Sequence, residues 1–217
     1  MSYGGQVTLC EPTIDAREAA TAEVQAATGA VFIPPYNAKD TIAGQGTIAL
    51  ELLEQVPDLD AIIVPVSGGG MLSGIAVAAK ALRPGILVLA AEPTGLNNAA
   101  DVAASKAAGR LVPTPKPVTI ADGLEARLGD LTWPIVRDLV DGVITISEEE
   151  IVAAMRLCFE RMKVVVEPSG AAGLAAALSQ HFCHDPQYSQ CRRVGVILCG
   201  GNIDLAAKGF WDLWKPS

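Results

Sequence analysis

Ser67, Gly68, Gly69, Gly70 and Met71 stand in a row behind the apolar run AIIVPV of residues 61–66. Glycines carry no Cβ, so their amides can approach an anion closely. A helix beginning there adds positive potential at its N-terminus. A phosphate is the natural ligand; the alternative is a tight strand-to-helix turn that holds nothing. No Lys-Ser/Thr follows the glycines and no GxGxxG spacing is present, so neither a Walker loop nor a dinucleotide fingerprint is indicated. A second candidate is Cys199-Gly200-Gly201-Asn202, behind VGVIL. Ligands of open α/β sheets sit at the carboxyl ends of strands. A small polar side chain there could meet a cofactor ring nitrogen, or the segment is only a glycine-rich strand end. Glu167-Pro168-Ser169-Gly170 reads by itself as an acidic helix start, and residues 119–123 (TIADG) as a turn. His181 and His184 beside Cys183 imitate a zinc cluster, but no second ligand pair follows at zinc spacing, and a polar loop is expected.

These segments need rigid elements behind them. Residues 61–66 and 86–91 (ILVLAA) are continuous apolar runs, the pattern of strands buried on both faces. Between them residues 71–82 form a helix of small residues, completing a βαβ unit. Such units in series build a parallel sheet covered by helices. Further strands are expected at 6–10, 31–33, 143–146, 164–166 and 194–198. Helices are expected at 14–28, 46–56, 133–139, from Ser147 to about 162, and at 170–178. Ser147 before Glu148, Glu149 and Glu150 is a good N-cap with acids in the first turn. Residues 92–117 read as irregular with one short helix.

Half of the 217 residues are hydrophobic and 5% are aromatic, enough for a sizeable core and unlike a disordered chain. A net charge of −8 argues against nucleic acid and against an anionic membrane surface. Cys10, Cys158, Cys183, Cys191 and Cys199 are odd in number and form no CxxC pair. They read as reduced thiols, several of them buried, in a cytoplasmic protein. No apolar run reaches the length of a membrane span, and the first residues lack a signal-peptide pattern.

Eight segments in order carry a likeness: AGQGT (43–47), VPVSGGGMLSG (64–74), AAEP (90–93), TIADGL (119–124), TWP (132–134), ERMK (160–163), VEPSGAAG (166–173) and LCGGN (198–202). Together they resemble the serine racemase and threonine/serine dehydratase family of pyridoxal-phosphate (PLP) enzymes. The resemblance covers essentially the whole chain. It implies an α/β fold of type II, tryptophan synthase beta-like: a three-layer αβα arrangement around a twisted, mostly parallel sheet. Here that fold would be incomplete, with residues 1–40 left over from a small mobile lobe and 41–217 from the large PLP-binding domain. It implies that Ser67, Gly68, Gly69, Gly70 and Met71 bind the PLP phosphate. Cys199 would stand where the family usually has Ser or Thr near the pyridine nitrogen; a thiol is a weaker partner than a hydroxyl. Glu92, the Leu96 carbonyl and the position of Asn98 match a Mg2+ or Ca2+ site. The Asn replaces a usual Asp and weakens the attraction for a hard cation; Asp101 is the possible substitute. Lys163 and Asn202 match ATP contacts at a homodimer interface.

The family's cofactor-bearing lysine, in a Ser-Phe-Lys segment, and its SxGNHG loop with the serine of the opposite face have no counterpart here. None of the seven lysines lies in a matching context. No catalytic residue is therefore assigned in the chain. The expected activity is racemisation of serine with loss of ammonia from serine, in a complete protein of which this chain is a part. The alternatives are threonine dehydratase and a non-catalytic, partner-binding product.

Overall fold

Residues 61–65 (AIIVP) are rich in β-branched residues and residues 87–91 (LVLAA) are continuously apolar. The computed structural model describes residues 4–206 and divides into two units, 1–34 and 35–217. In the second unit β1 (Ala61–Pro65) pairs in parallel with β2 (Leu87–Pro93) on one side and β4 (Val194–Val196) on the other; β2 pairs with β3 (Gly142–Ile146). The order is β3-β2-β1-β4, all parallel. Alternate residues of a strand face opposite sides, and here both sides are apolar. Ile62, Val64, Val88 and Ala90 enter one core, against α2 (Lys39–Gln55), α3 (Gly70–Leu82) and α5 (Thr132–Leu139). Ile63, Leu89, Ala91 and Ile144 enter the other, against α6 (Glu148–Leu157) and α7 (Pro168–Leu178). The expected three layers are present.

Helix α2 starts seven residues before the sequence pattern suggested, because a side-chain pattern of Lys, Asp and Thr conceals its first turns. It crosses α3 where Gly74 meets the Ile42 carbonyl and the Gly46 amide, a contact with no room for a Cβ. Gly46 of AGQGT and Gly74 of MLSG are thus helix-packing residues. Helix α6 begins with a full capping box: Ser147 Oγ accepts from the Glu150 amide at 3.2 Å, and the Ser147 amide donates to Glu150 at 2.8 Å. It runs into a π-turn at Cys158–Met162, closed by Lys163 at φ 61°.

Several expectations are corrected. Residues 164–166 form no strand; they follow the π-turn, with the Val164 amide bonded to the Cys158 carbonyl. His181 and His184 lie on a short helix, α8 (Gln180–His184), capped by Ser179, rather than in a loop. No group of three metal-ligating side chains occurs among the described residues. The last strand is shorter than 194–198 and only partly buried. All five cysteines are free, but only Cys158 is fully buried. Among the described residues no helix is long and apolar enough to cross a membrane.

In the first unit α1 (Ile14–Thr28) is capped by Thr13 and ended by Gly29 in the left-handed region. The flanking segments 6–10 and 31–33 are not strands. A strand needs a neighbour for its backbone groups, and Leu9, Val31 and Ile33 stand exposed without one among the described residues.

Candidate active site

β1 and β4 are neighbours in register, Ile63 opposite Val196. The ladder extends one step further, from the Ile197 amide to the Ile63 carbonyl at 3.1 Å. The segments that follow the two strands, Ser67–Gly68–Gly69–Gly70 and Cys199–Gly200–Gly201, therefore leave the sheet at the same end. The two candidate segments of the sequence are brought together, at the carboxyl edge where ligands of such sheets bind.

The glycine loop is fixed from the protein side. Gly69 has φ 86°, and a Cβ there would lie 2.6 Å from Leu128 and 3.0 Å from Thr132. Tyr36 lies against Gly68 and Gly70, its Cα 2.7 Å from where a Gly70 Cβ would be. Ser67 Oγ accepts the Ala126 amide at 3.0 Å, and Thr132 Oγ1 donates to the Gly68 carbonyl at 2.8 Å. The carbonyls and side chains are thus engaged. The amides are not: from Gly68 to Leu72 none donates to another described residue. Gly68, Gly69, Gly70 and Leu72 are nevertheless buried. Buried N–H groups without an acceptor are costly, and α3 has no acid in its first turn to offset them. The loop fits an anion with several oxygens, such as a phosphate ester.

The opposite wall is built from three of the other motifs. Ser169 Oγ accepts the Gly123 amide at 3.0 Å, while the Cys199 thiol faces the Ser169 carbonyl at 3.9 Å. Cys199 is exposed as a residue, yet its thiol is desolvated and held protonated, above its ordinary pKa. Glu167 accepts the Asn202 amide at 2.9 Å and donates its own amide to the Gly200 carbonyl. Gly170 approaches the same carbonyl too closely to admit a Cβ. Glu167 is more than a helix start: its carboxylate ties the strand-end loop to α7. Tyr36 lies in no motif of the sequence, and Thr132 and Ser169 stand in motifs whose spacing does not reveal their roles, because their partners lie 30 to 60 and more positions away.

Glu92, at the end of β2, is buried at 4% exposure. Its two oxygens accept the Val102 and Ala103 amides at 2.7 and 2.8 Å, in the first turn of α4 (Asp101–Ala108). Desolvation pushes its pKa up to about 7, against these two hydrogen bonds, and the buried Asp101 adds to the rise. Asn98 is exposed in the left-handed region, and the Leu96 side chain is 77% exposed. Both Glu92 oxygens thus cap α4, each through one of its lone pairs. Lys163 Nζ donates to the Glu160 carbonyl at 2.9 Å, and Asn202 is exposed with its amide held by Glu167.

The sequence profile described as "Pyridoxal-phosphate dependent enzyme" matches residues 1–200. The chain belongs to the pyridoxal-phosphate dependent enzyme family. Serine racemase of Arabidopsis thaliana is 54% identical over 215 residues, which is 99% of this chain and 63% of that protein. The structure of maize serine racemase superposes with a TM-score of 0.89 at 55% identity, covering 94% of this chain and 61% of the other. The crystal structure of a T.th. threonine deaminase gives 0.84 at 42% identity, covering 95% and 66%. This PLP-enzyme chain thus has the type II fold and spans a little over three-fifths of the length of these serine racemases.

Proposed function

We propose that the chain is the cofactor-cradling portion of a PLP-dependent serine racemase with serine ammonia-lyase activity. The observation that carries this is the row of amides from Gly68 to Leu72 with no acceptor among the described residues, all but Met71 buried, at the same sheet edge as Cys199. In this reading the backbone of Ser67, Gly68, Gly69, Gly70 and Met71 holds the cofactor phosphate. Cys199 would stand toward the ring nitrogen, where a thiol would be a weaker hydrogen-bond partner than a hydroxyl. When bound, the cofactor supplies an electron sink for the carbanion left as the amino acid's α-proton departs. The residues of this chain bind and orient; Glu167 and Ser169 hold the strand-end loop against α7.

The proton-moving groups belong to the complete protein. Residues 1–40 belong, on this proposal, to its small lobe. The complete protein is read as a cytoplasmic homodimer, and five free cysteines agree with a reducing compartment. A divalent cation at Glu92 would share the carboxylate with the α4 amides. Threonine dehydratase is the second reading, supported by the 42% identity to a threonine deaminase.

The test is turnover of L-serine in the presence of PLP, followed as D-serine and pyruvate. The 217 residues alone are expected to produce neither. A longer chain that adds a lysine-bearing segment before Met1 is expected to produce both. Turnover by the 217 residues alone contradicts the proposal, and threonine turnover above serine turnover by the longer chain selects the second reading.

A further inference from the structure

Thr132 is completely buried, sixty-four positions from the loop it touches. Its hydroxyl has one proton. It accepts the Gly129 amide at 2.8 Å and lies 2.8 Å from the Gly68 carbonyl, against 3.3 Å from the Gly129 carbonyl. The proton therefore goes to Gly68. The peptide units of the described residues are all trans, so the carbonyl and N–H of one unit point in opposite directions. Holding the Gly68 carbonyl from the Thr132 side turns the Gly69 N–H away from Thr132. The next unit is fixed likewise, because the Gly69 carbonyl accepts the Ser73 amide at 2.8 Å inside α3. An accepted hydrogen bond on a peptide carbonyl also polarises its N–H into a better donor.

Thr132 itself is firmly placed. Its carbonyl faces Ser73 Oγ at 3.5 Å, and the preceding Leu131 amide donates to Asn37 at 3.0 Å. Asn37 in turn donates to Asp130 at 2.6 Å. Against this rigid block only glycine fits at position 69, where a Cβ would come within 3.1 Å of the hydroxyl.

We propose that Thr132 is a positioning residue: its hydroxyl aims and polarises the Gly69 amide so that the loop favours a phosphate ester over the same molecule without phosphate. The inference rests on the cofactor reading above. The probes are pyridoxine 5′-phosphate and pyridoxine, neither of which can bond covalently to a lysine, titrated into the 217-residue chain by calorimetry. Wild type is expected to prefer the phosphate ester. Thr132→Val, which keeps the shape and loses the hydroxyl, is expected to weaken pyridoxine 5′-phosphate about tenfold. Pyridoxine affinity should stay within about twofold, and Thr132→Ser should restore the preference for the ester. Thr132→Ala serves if the valine variant does not fold.

A wild type without preference sinks the cofactor reading itself. A valine or alanine variant that keeps the preference, or that loses both ligands equally, overturns the role of Thr132 alone. Failure of both variants to fold while Thr132→Ser folds assigns the hydroxyl to structure and overturns it too.

Discussion

The ends of β1 and β2 lie side by side, and each is followed by a helix whose first amides need acceptors. The two ends solve the problem in opposite ways. After β2 the strand's own Glu92 reaches the start of α4 and accepts two amides, so that end is closed. After β1 the helix starts on Gly69, with no side-chain cap and no first-turn acid, and its amides stay open. Helix α6 shows the ordinary third case, a cap supplied by the neighbouring Ser147. What differs is where the acceptor comes from: of these three helix starts, the one after β1 has no acceptor among the described residues. Similar glycine and acid motifs in a sequence can thus mean a ligand site at one strand end and a structural cap at the next.

The largest effect is expected from blocking the open end. Gly69→Ala combines a positive φ with overlap against Leu128 and Thr132, and should cost about 3–4 kcal/mol in urea unfolding. Pyridoxine 5′-phosphate binding should be lost with it. Retained binding at near wild-type stability would remove the contrast between the two ends.

Next comes the closed end. Glu92 has a folded-state pKa of about 7, raised from 4.5. The folded state therefore holds its proton more tightly than the unfolded chain does. This contribution is fully present below about pH 4.5 and fades as pH rises through 7, by up to about 3 kcal/mol. Unfolding measured from pH 4.5 to 8 should show the decline, and Glu92→Gln should flatten it. Calcium that abolished the decline in wild type would mean that the Glu92 carboxylate coordinates a cation.

The smallest effect belongs to the ordinary cap. Ser147→Ala should cost about 1 kcal/mol in thermal or urea unfolding, with phosphate-ester affinity unchanged. A loss of binding there would show that the β1 end is not independent of the other helix starts.

Much of this was readable from residues alone. The runs at 61–66 and 86–91 gave β1 and β2 within a residue or two, because short continuous apolar runs are the pattern of strands buried on both faces. Ser147 with its three glutamates announced α6 for the same local reason. The glycine loop and Cys199-Gly200 were both recognisable, and parallel pairing of β1 with β4 explains why they meet. Other features depend on partners that no local pattern reveals. Segments 6–10 and 31–33 have strand-like composition, but a strand exists only with a neighbour. Glu92 has the residue type of a cation ligand, yet α4 supplies two amides from ten positions on. Thr132 and Tyr36 reach the loop only through the packing of α5 and the start of α2 around α3.

The most direct test of the central claim is an amide-resolved NMR titration of the 15N-labelled chain with pyridoxine 5′-phosphate. The amides of Gly68 to Leu72 should shift together and saturably, while those of Val102 and Ala103 stay still. Shifts confined to Val102 and Ala103, or none at either strand end, would contradict the account.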